Sequence, residues 1–167
     1  MTLTSPHLIN EVGDLLKSSV SEVFSTTLNM KTQPVALYDL RESDEMLIAG
    51  SVGFVGDVSG VVYIYVKASF ARTLASRMLG MPESECGEDE MVNDVMGELS
   101  NMIVGSTKSL ICDSGAACVL TIPSIIRGQN LSAKPVCLSE GLLLSIVSED
   151  EPILLELIMK PLEETKN

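Results

Sequence analysis

Tryptophan is absent from this chain of 167 residues, histidine occurs once, and phenylalanine and tyrosine number three each. Aromatic stacking therefore contributes little to its core. A zinc site or a Ser-His-Asp arrangement would have only His7 to draw on, and no nucleophile motif surrounds any serine. His7 reads as a surface or helix-start residue. The four cysteines, at 86, 112, 118 and 137, form no C-x-x-C pair, which argues against a bound metal. Glycines at 50, 53, 56 and 60 do not match G-x-G-x-x-G, so no phosphate-cradling loop is visible. No apolar run approaches the ~20 residues a membrane helix needs. The amino end lacks a basic region followed by an apolar stretch, so no secretory signal is visible. The expectation is a cytoplasmic protein with reduced thiols. Cations are scarce: 11 Lys and Arg against 23 Asp and Glu, a formal net charge of −12. Such a charge repels DNA and RNA.

What is present is a globular composition, 46% apolar, with nine methionines beside Val, Ile and Leu. The length suits one domain spanning 1–167, its core running from about 7 to 159. Residues 7–30 carry apolar side chains at steps of three and four (Leu8, Val12, Leu15, Leu16, Val20, Val23, Phe24, Leu28), a helical period. Ser5 is placed to cap that helix, Pro6 to occupy its first position, and Pro34 lies beyond its end. A short strand is expected at 35–39. "MLIAGSVGFVGDVSGVVYIYV" reads as a hairpin reversing at Gly56–Gly60, with Asp57 and Ser59 as turn formers. Residues 68–80 form a short helix ended by Gly80, and 88–112 a long one with its exit at Gly115. "AACVLTIPSII" is strand-like but broken by Pro123, which suggests an edge or a bend. "RGQNLSAKP" is a loop. Residues 142–147 and 153–159 form a second hairpin around a turn at 148–152, and "EETKN" is a tail. This order gives an α/β layer packing: a mainly antiparallel sheet against long helices.

The long helix has two unlike faces. On a 3.6-residue period, Val92, Val95, Met96, Leu99, Met102, Ile103 and Leu110 collect on one side, which faces the sheet. Opposite lie Glu90, Asp94, Gly97, Glu98, Asn101, Gly105 and Lys108. The acids between 83 and 94 (Glu83, Glu85, Glu88, Asp89, Glu90, Asp94) fit a solvated loop and helix start, where negative charge suits the helix dipole. A docking surface for a basic patch is the less favoured alternative. Spacing alone is satisfied by a plain solvent-facing side. Yet each interior glycine weakens a helix by roughly 1 kcal/mol relative to alanine. Gly97 and Gly105 sit one turn before and one turn after Asn101, where missing side chains let another surface approach. Lys108 suits the negative end of the dipole, Met96 and Met102 read as core, and Cys112 and Cys118 as buried thiols.

"GELSNMIVGSTK" resembles the E-x-x-N helix of the CheC/CheX/FliY phosphatases of bacterial chemotaxis, through Glu98, Asn101, Gly105 and Lys108. The likeness extends to "LIN…V…VF…T" in the first helix, "GFVGDVSGVVY" in the hairpin and "IPSIIRG" after the long helix. It covers most of 7–159. One motif rather than two resembles CheX rather than CheC, because neither "EVGD" nor "EVFS" in the first helix is E-x-x-N. The resemblance implies a CheX/CheC-like fold and a phosphatase whose substrate is the aspartyl phosphate of a CheY-type receiver domain. It implies that Asn101 orients the attacking water and that Glu98 pairs with a receiver lysine. Asp94, Gly97 and Gly105 then belong to the docking surface. It also implies that Mg²⁺ belongs to the receiver, with no metal or cofactor in this chain, and that the protein is a homodimer. A non-catalytic receiver-binding or oligomerisation module of the same fold is the alternative.

Overall fold

A computed structural model describes residues 7–135 and 139–160. Ser5, Pro6, Cys137 and the tail at 163–167, to which the sequence assigned roles, lie outside the described residues. Among the described residues, three helices and seven strands follow one another as α1 (Leu8–Leu28), β1 (Gln33–Val35), β2 (Leu47–Gly56), β3 (Gly60–Lys67), α2 (Ala68–Leu79), α3 (Asp89–Asp113), β4 (Cys118–Leu120), β5 (Ser124–Gly128), β6 (Glu140–Ser148) and β7 (Glu151–Met159). Short 3-10 turns occupy Leu40–Glu42 and Glu83–Glu85. All seven strands join one sheet in the order β1-β6-β7-β3-β2-β4, and β5 also pairs with β2. Every pairing is antiparallel.

Each helix end has a local cause. His7 occupies the N-cap position of α1 without a side-chain bond, its carbonyl accepting from the Asn10 and Glu11 N–H groups, and Asn29 closes the helix in the left-handed conformation, its N–H donating to the Phe24 carbonyl. Gly80 closes α2 at φ 65°, its N–H donating to the Ser76 carbonyl. Gly115, at φ 95°, turns the chain after α3. The β2–β3 hairpin reverses at residues 57–59, inside the expected turn. Asp57 does more than form it: its carboxylate accepts a bond from the Ala117 N–H (2.8 Å) and its own N–H donates to the Ala117 carbonyl (2.8 Å), which pins the approach to β4.

Three boundaries differ from the sequence reading. The first strand is Gln33–Val35, not 35–39, and contains Pro34. Among the described residues it pairs only with β6. A proline without an N–H is tolerated in such an edge strand. The second hairpin turns on two residues, Glu149 and Asp150, so β6 and β7 extend further than expected. Both turn residues are left-handed (φ 49° and 65°), the twist a two-residue hairpin favours, though neither is the usual Gly or Asn. Arg127 and Gly128, read as loop, belong to β5.

Pro123 does break a strand, and at an edge. β4 and β5 lie one after the other along the free side of β2. The register passes from Phe54↔Leu120 to Ser51↔Ser124, three steps on β2 against four on its partner. The extra residue is a bulge. Thr121 fills the gap in the ladder: its N–H donates to the Gly53 carbonyl (2.9 Å) and its Oγ1 accepts from the Gly53 N–H (2.8 Å).

Alternation along the strands divides the interior. Ile48, Val52, Phe54, Val62, Ile64, Val66, Leu155 and Leu157 face the helices and form the main core with Leu16, Val20, Phe24, Phe70, Leu74, Val95, Leu99 and Ile103. On the other face, Leu47, Ala49, Tyr65 and Leu154 form a smaller cluster with Leu40. An ionic group is built into that second cluster. Arg41 donates to Glu156 through Nη1 (2.9 Å) and to Asp39 through Nε (2.8 Å) and Nη2 (2.7 Å). The Tyr65 hydroxyl donates to the other Glu156 oxygen (2.6 Å). Burial, and then the neighbouring Glu156 carboxylate, push the Tyr65 phenol above its ordinary range, so it stays protonated and donating.

Candidate functional site

The long helix runs one residue beyond the expected 88–112 at its end and starts one later. Its buried residues are Val92, Val95, Met96, Gly97, Leu99, Ser100, Ile103, Val104, Thr107 and Ile111. The buried stripe is rotated from the expected one. Met102 and Leu110 are half-buried instead of central, and the small polar Ser100 and Thr107 are buried in their place. Both hydroxyls satisfy themselves on their own helix, Ser100 to the Met96 carbonyl (2.7 Å) and Thr107 to the Ile103 carbonyl (3.0 Å), a bond that makes them tolerable in a dry interior.

Ser100 marks where the helix meets the sheet. A Cβ built on Gly50, in β2, would collide with the Ser100 Oγ and stand 3.3 Å from the Met96 carbonyl. Glycine at 50 is therefore a requirement of close approach. Two further contacts hold α3. Ser106 Oγ donates to Glu22 of α1 (3.2 Å). Arg127 of β5 donates through Nε to Asn93, through Nη1 to the Asp89 carboxylate (3.0 Å) and through Nη2 to the Asp89 carbonyl (3.0 Å).

The face opposite is open. Glu90, Asp94 and Glu98 are exposed, and Asn101, Gly105 and Lys108 are half-buried. Among the described residues, side-chain hydrogen bonds on this helix and its C-cap Ser114 involve Asp89, Asn93, Ser100, Ser106, Thr107, Ser109 and Ser114, and its ion pair is that of Asp89 with Arg127. Glu98 and Asn101 enter none of them. Gly97, placed on the outer face by its spacing, has its backbone covered, yet a Cβ there would meet nothing within 4 Å. A Cβ on Gly105 would make only an ordinary 3.8 Å contact with Leu120. Neither glycine is demanded by the packing of this chain. The five residues singled out from the sequence (Asp94, Gly97, Glu98, Asn101 and Gly105) thus lie along one helix. Arg127, Asn93 and Gly50 were not singled out; the only sequence signal was a glycine inside a strand pattern.

Chemically the face offers three exposed carboxylates, Glu90, Asp94 and Glu98, and one primary amide, Asn101, none of them in a side-chain hydrogen bond or ion pair among the described residues. Amide nitrogen and oxygen can hold a water from two sides but cannot take its proton at neutral pH. Among the described residues no group of three or more His, Cys, Asp or Glu could hold a metal ion, and no helix is long and apolar enough to cross a membrane. Cys86, Cys112 and Cys118 are free. Burial, with Cys112 beside it, pushes the Cys118 thiol up, which suits packing and not nucleophilic chemistry.

The fold is mixed α/β, an antiparallel sheet with three helices among the described residues, and the Glu98–Asn101 pair lies on the longest of them. The family model described as "Chemotaxis phosphatase CheX" matches residues 48–146, from β2 into β6 and through all of α3. The chain belongs to the CheX family of chemotaxis phosphatases. Solved structures share its fold. The CheX of Vibrio vulnificus is 22% identical with a TM-score of 0.76, over 90% of this chain and 97% of that one. That of Desulfovibrio desulfuricans is 19% identical, with a TM-score of 0.75, over 90% and 99%. A CheX–CheY–BeF3–Mg²⁺ complex from Borrelia burgdorferi is 20% identical, with a TM-score of 0.68, over 90% and 98%. No curated protein matches the sequence.

Proposed function

We propose that the protein accelerates hydrolysis of the aspartyl phosphate on a CheY-type receiver domain by presenting the Glu98–Asn101 face of α3 to the receiver's active site. The observation that carries this reading is the pair itself: an exposed carboxylate and a half-buried amide one helical turn apart, without side-chain hydrogen-bond partners among the described residues, between two glycines that their own fold does not require. The CheX–CheY complex of Borrelia burgdorferi supports the choice of partner.

Hydrolysis of an acyl phosphate needs a positioned water more than a new nucleophile. The water oxygen bonds to phosphorus as the bond between phosphorus and the aspartyl oxygen breaks. Inorganic phosphate and a free carboxylate result, and the water's proton passes to phosphate or solvent. Asn101 holds the water in line through its amide, which supplies orientation and no proton transfer. Glu98 pairs with a receiver lysine and so sets the depth and angle of the helix. The receiver holds the Mg²⁺ that neutralises phosphoryl charge; this chain contributes no ligand to it. Asp94 continues the negative row toward the receiver, and Gly97 and Gly105 leave room for its surface.

Asn101→Ala tests the assignment. The variant is expected to retain its circular dichroism and melting temperature while losing stimulated phosphate release from phosphorylated receiver. Equal release by wild type and variant would sink the role given to Asn101. Binding of phosphorylated receiver by the wild-type protein without faster release would instead make this a receiver-binding module.

A further inference from the structure

We infer that Arg127 is a positioning residue for the Glu98–Asn101 face, acting from outside the helix that carries it. The inference rests on the phosphatase reading of that face. Arg127 stands on β5 opposite Ile48 of β2, the strand on which α3 is seated. From there its guanidinium spans to the helix and donates to Asn93, to the Asp89 carboxylate and to the Asp89 carbonyl. Its acceptors lie on two successive turns, at i and i+4. The planar fork thereby fixes both the height of the first turns and their rotation about the helix axis, which a single point charge cannot do. Two residues along β2 from Ile48, Gly50 meets Ser100. The helix is held at residues 89 and 93 on one side of Glu98 and at residue 100 on the other. Asn101 follows directly.

Rotation is the sensitive coordinate. Side-chain tips ride about 5–6 Å from a helix axis, so a turn of about 10° moves them by about 1 Å. A misplacement of that size can lower an orientation-dependent rate by about 100-fold. Neither Asn93 nor Asp89 needs to touch the receiver for this to hold. The carboxylate of Asp89 also offsets the unfavourable placing of a cation near the positive end of the helix dipole.

Arg127→Lys keeps the charge and removes the fork; Asn93→Ala removes one acceptor from the helix side. Both variants are to be compared with the wild type in two measurements. In the free protein, amide hydrogen exchange across residues 92–101 is expected to quicken in each variant while α1 keeps its protection. In phosphate release from acyl-phosphorylated receiver, kcat is expected to fall about 10- to 100-fold with KM within about twofold. The double variant is expected to be little worse than either single one. Unchanged exchange in Arg127→Lys, or a changed KM at constant kcat, overturns the positioning role. If the wild-type protein itself accelerates no release, the phosphatase reading fails and the proposal falls with it, a result distinct from a failure confined to the variants.

Discussion

Replacing Gly97 by alanine is expected to make the protein more stable and less able to engage its partner. A glycine inside a helix destabilises it by about 0.5–1 kcal/mol relative to alanine, because its backbone loses more freedom on folding. That gain normally competes with crowding around the new methyl group. Here a Cβ at Gly97 meets nothing within 4 Å, and one at Gly105 only the Leu120 methyl at 3.8 Å, so the crowding is negligible. The two sites are eight residues apart, far enough for their effects to add. The double variant should gain about 1–2 kcal/mol. For a chain of this size that raises Tm by about 2–8 °C. Gly50→Ala provides the opposite control: its methyl would collide with Ser100, and overpacking of that kind lowers stability by about 1–3 kcal/mol. Without tryptophan, calorimetry or far-ultraviolet dichroism is the suitable probe of Tm. Phosphate release measured over a range of receiver concentrations supplies the second half, with KM expected to rise in Gly97→Ala. A lower Tm, or a higher Tm with KM unchanged, would refute the idea that these glycines serve an external surface.

Acid should act through the ionic group on the far face of the sheet. The Arg41 guanidinium beside Asp39 holds its carboxyl below the usual carboxylate range. A carboxyl lowered on folding contributes stability that is present above its unfolded pKa and is lost as pH falls through the folded value. Urea midpoints are therefore expected to decline below about pH 4, and Asp39→Asn to flatten that decline while lowering the midpoint at pH 7; an unchanged slope would contradict the assignment. We also expect two copies to associate along a sheet edge, since β1 exposes all three of its residues, Val35 among them, and Leu37 and Tyr38 are open beside it. Light scattering should then give twice the 17.9 kDa of the chain, and a mass of one chain at working concentration would exclude it.

The helices were legible to within a residue or two wherever apolar periodicity was long and its ends carried glycine, as in α2 and α3. The β2–β3 hairpin was legible because residues 61–66 are almost all strand formers. The second hairpin was misjudged at its turn, since Glu149-Asp150 is a poor signal for two left-handed residues. The outward pair Glu98 and Asn101 could be placed from spacing alone. Its anchors could not. Arg127 was assigned to a loop, and the one-residue shift beside Pro123 hides the strand it stands on. The rotation of the buried stripe of α3 was equally invisible, because serine and threonine that bond their own helix look polar in a sequence while lying in the core.

That shift has a further consequence for parity. Before it, even-numbered residues Cys118 and Leu120 point toward the helices; after it, odd-numbered Ile125 and Arg127 do, while Ile126 turns to the opposite side. Were the same residues paired in simple alternation, with no bulge to absorb the extra one, Ile126 would be carried under α3. The guanidinium would then be delivered to the wrong side of the sheet, with its own sequence untouched. The spelling of an edge strand, and not only the letters of the active helix, therefore decides whether that helix is held in place.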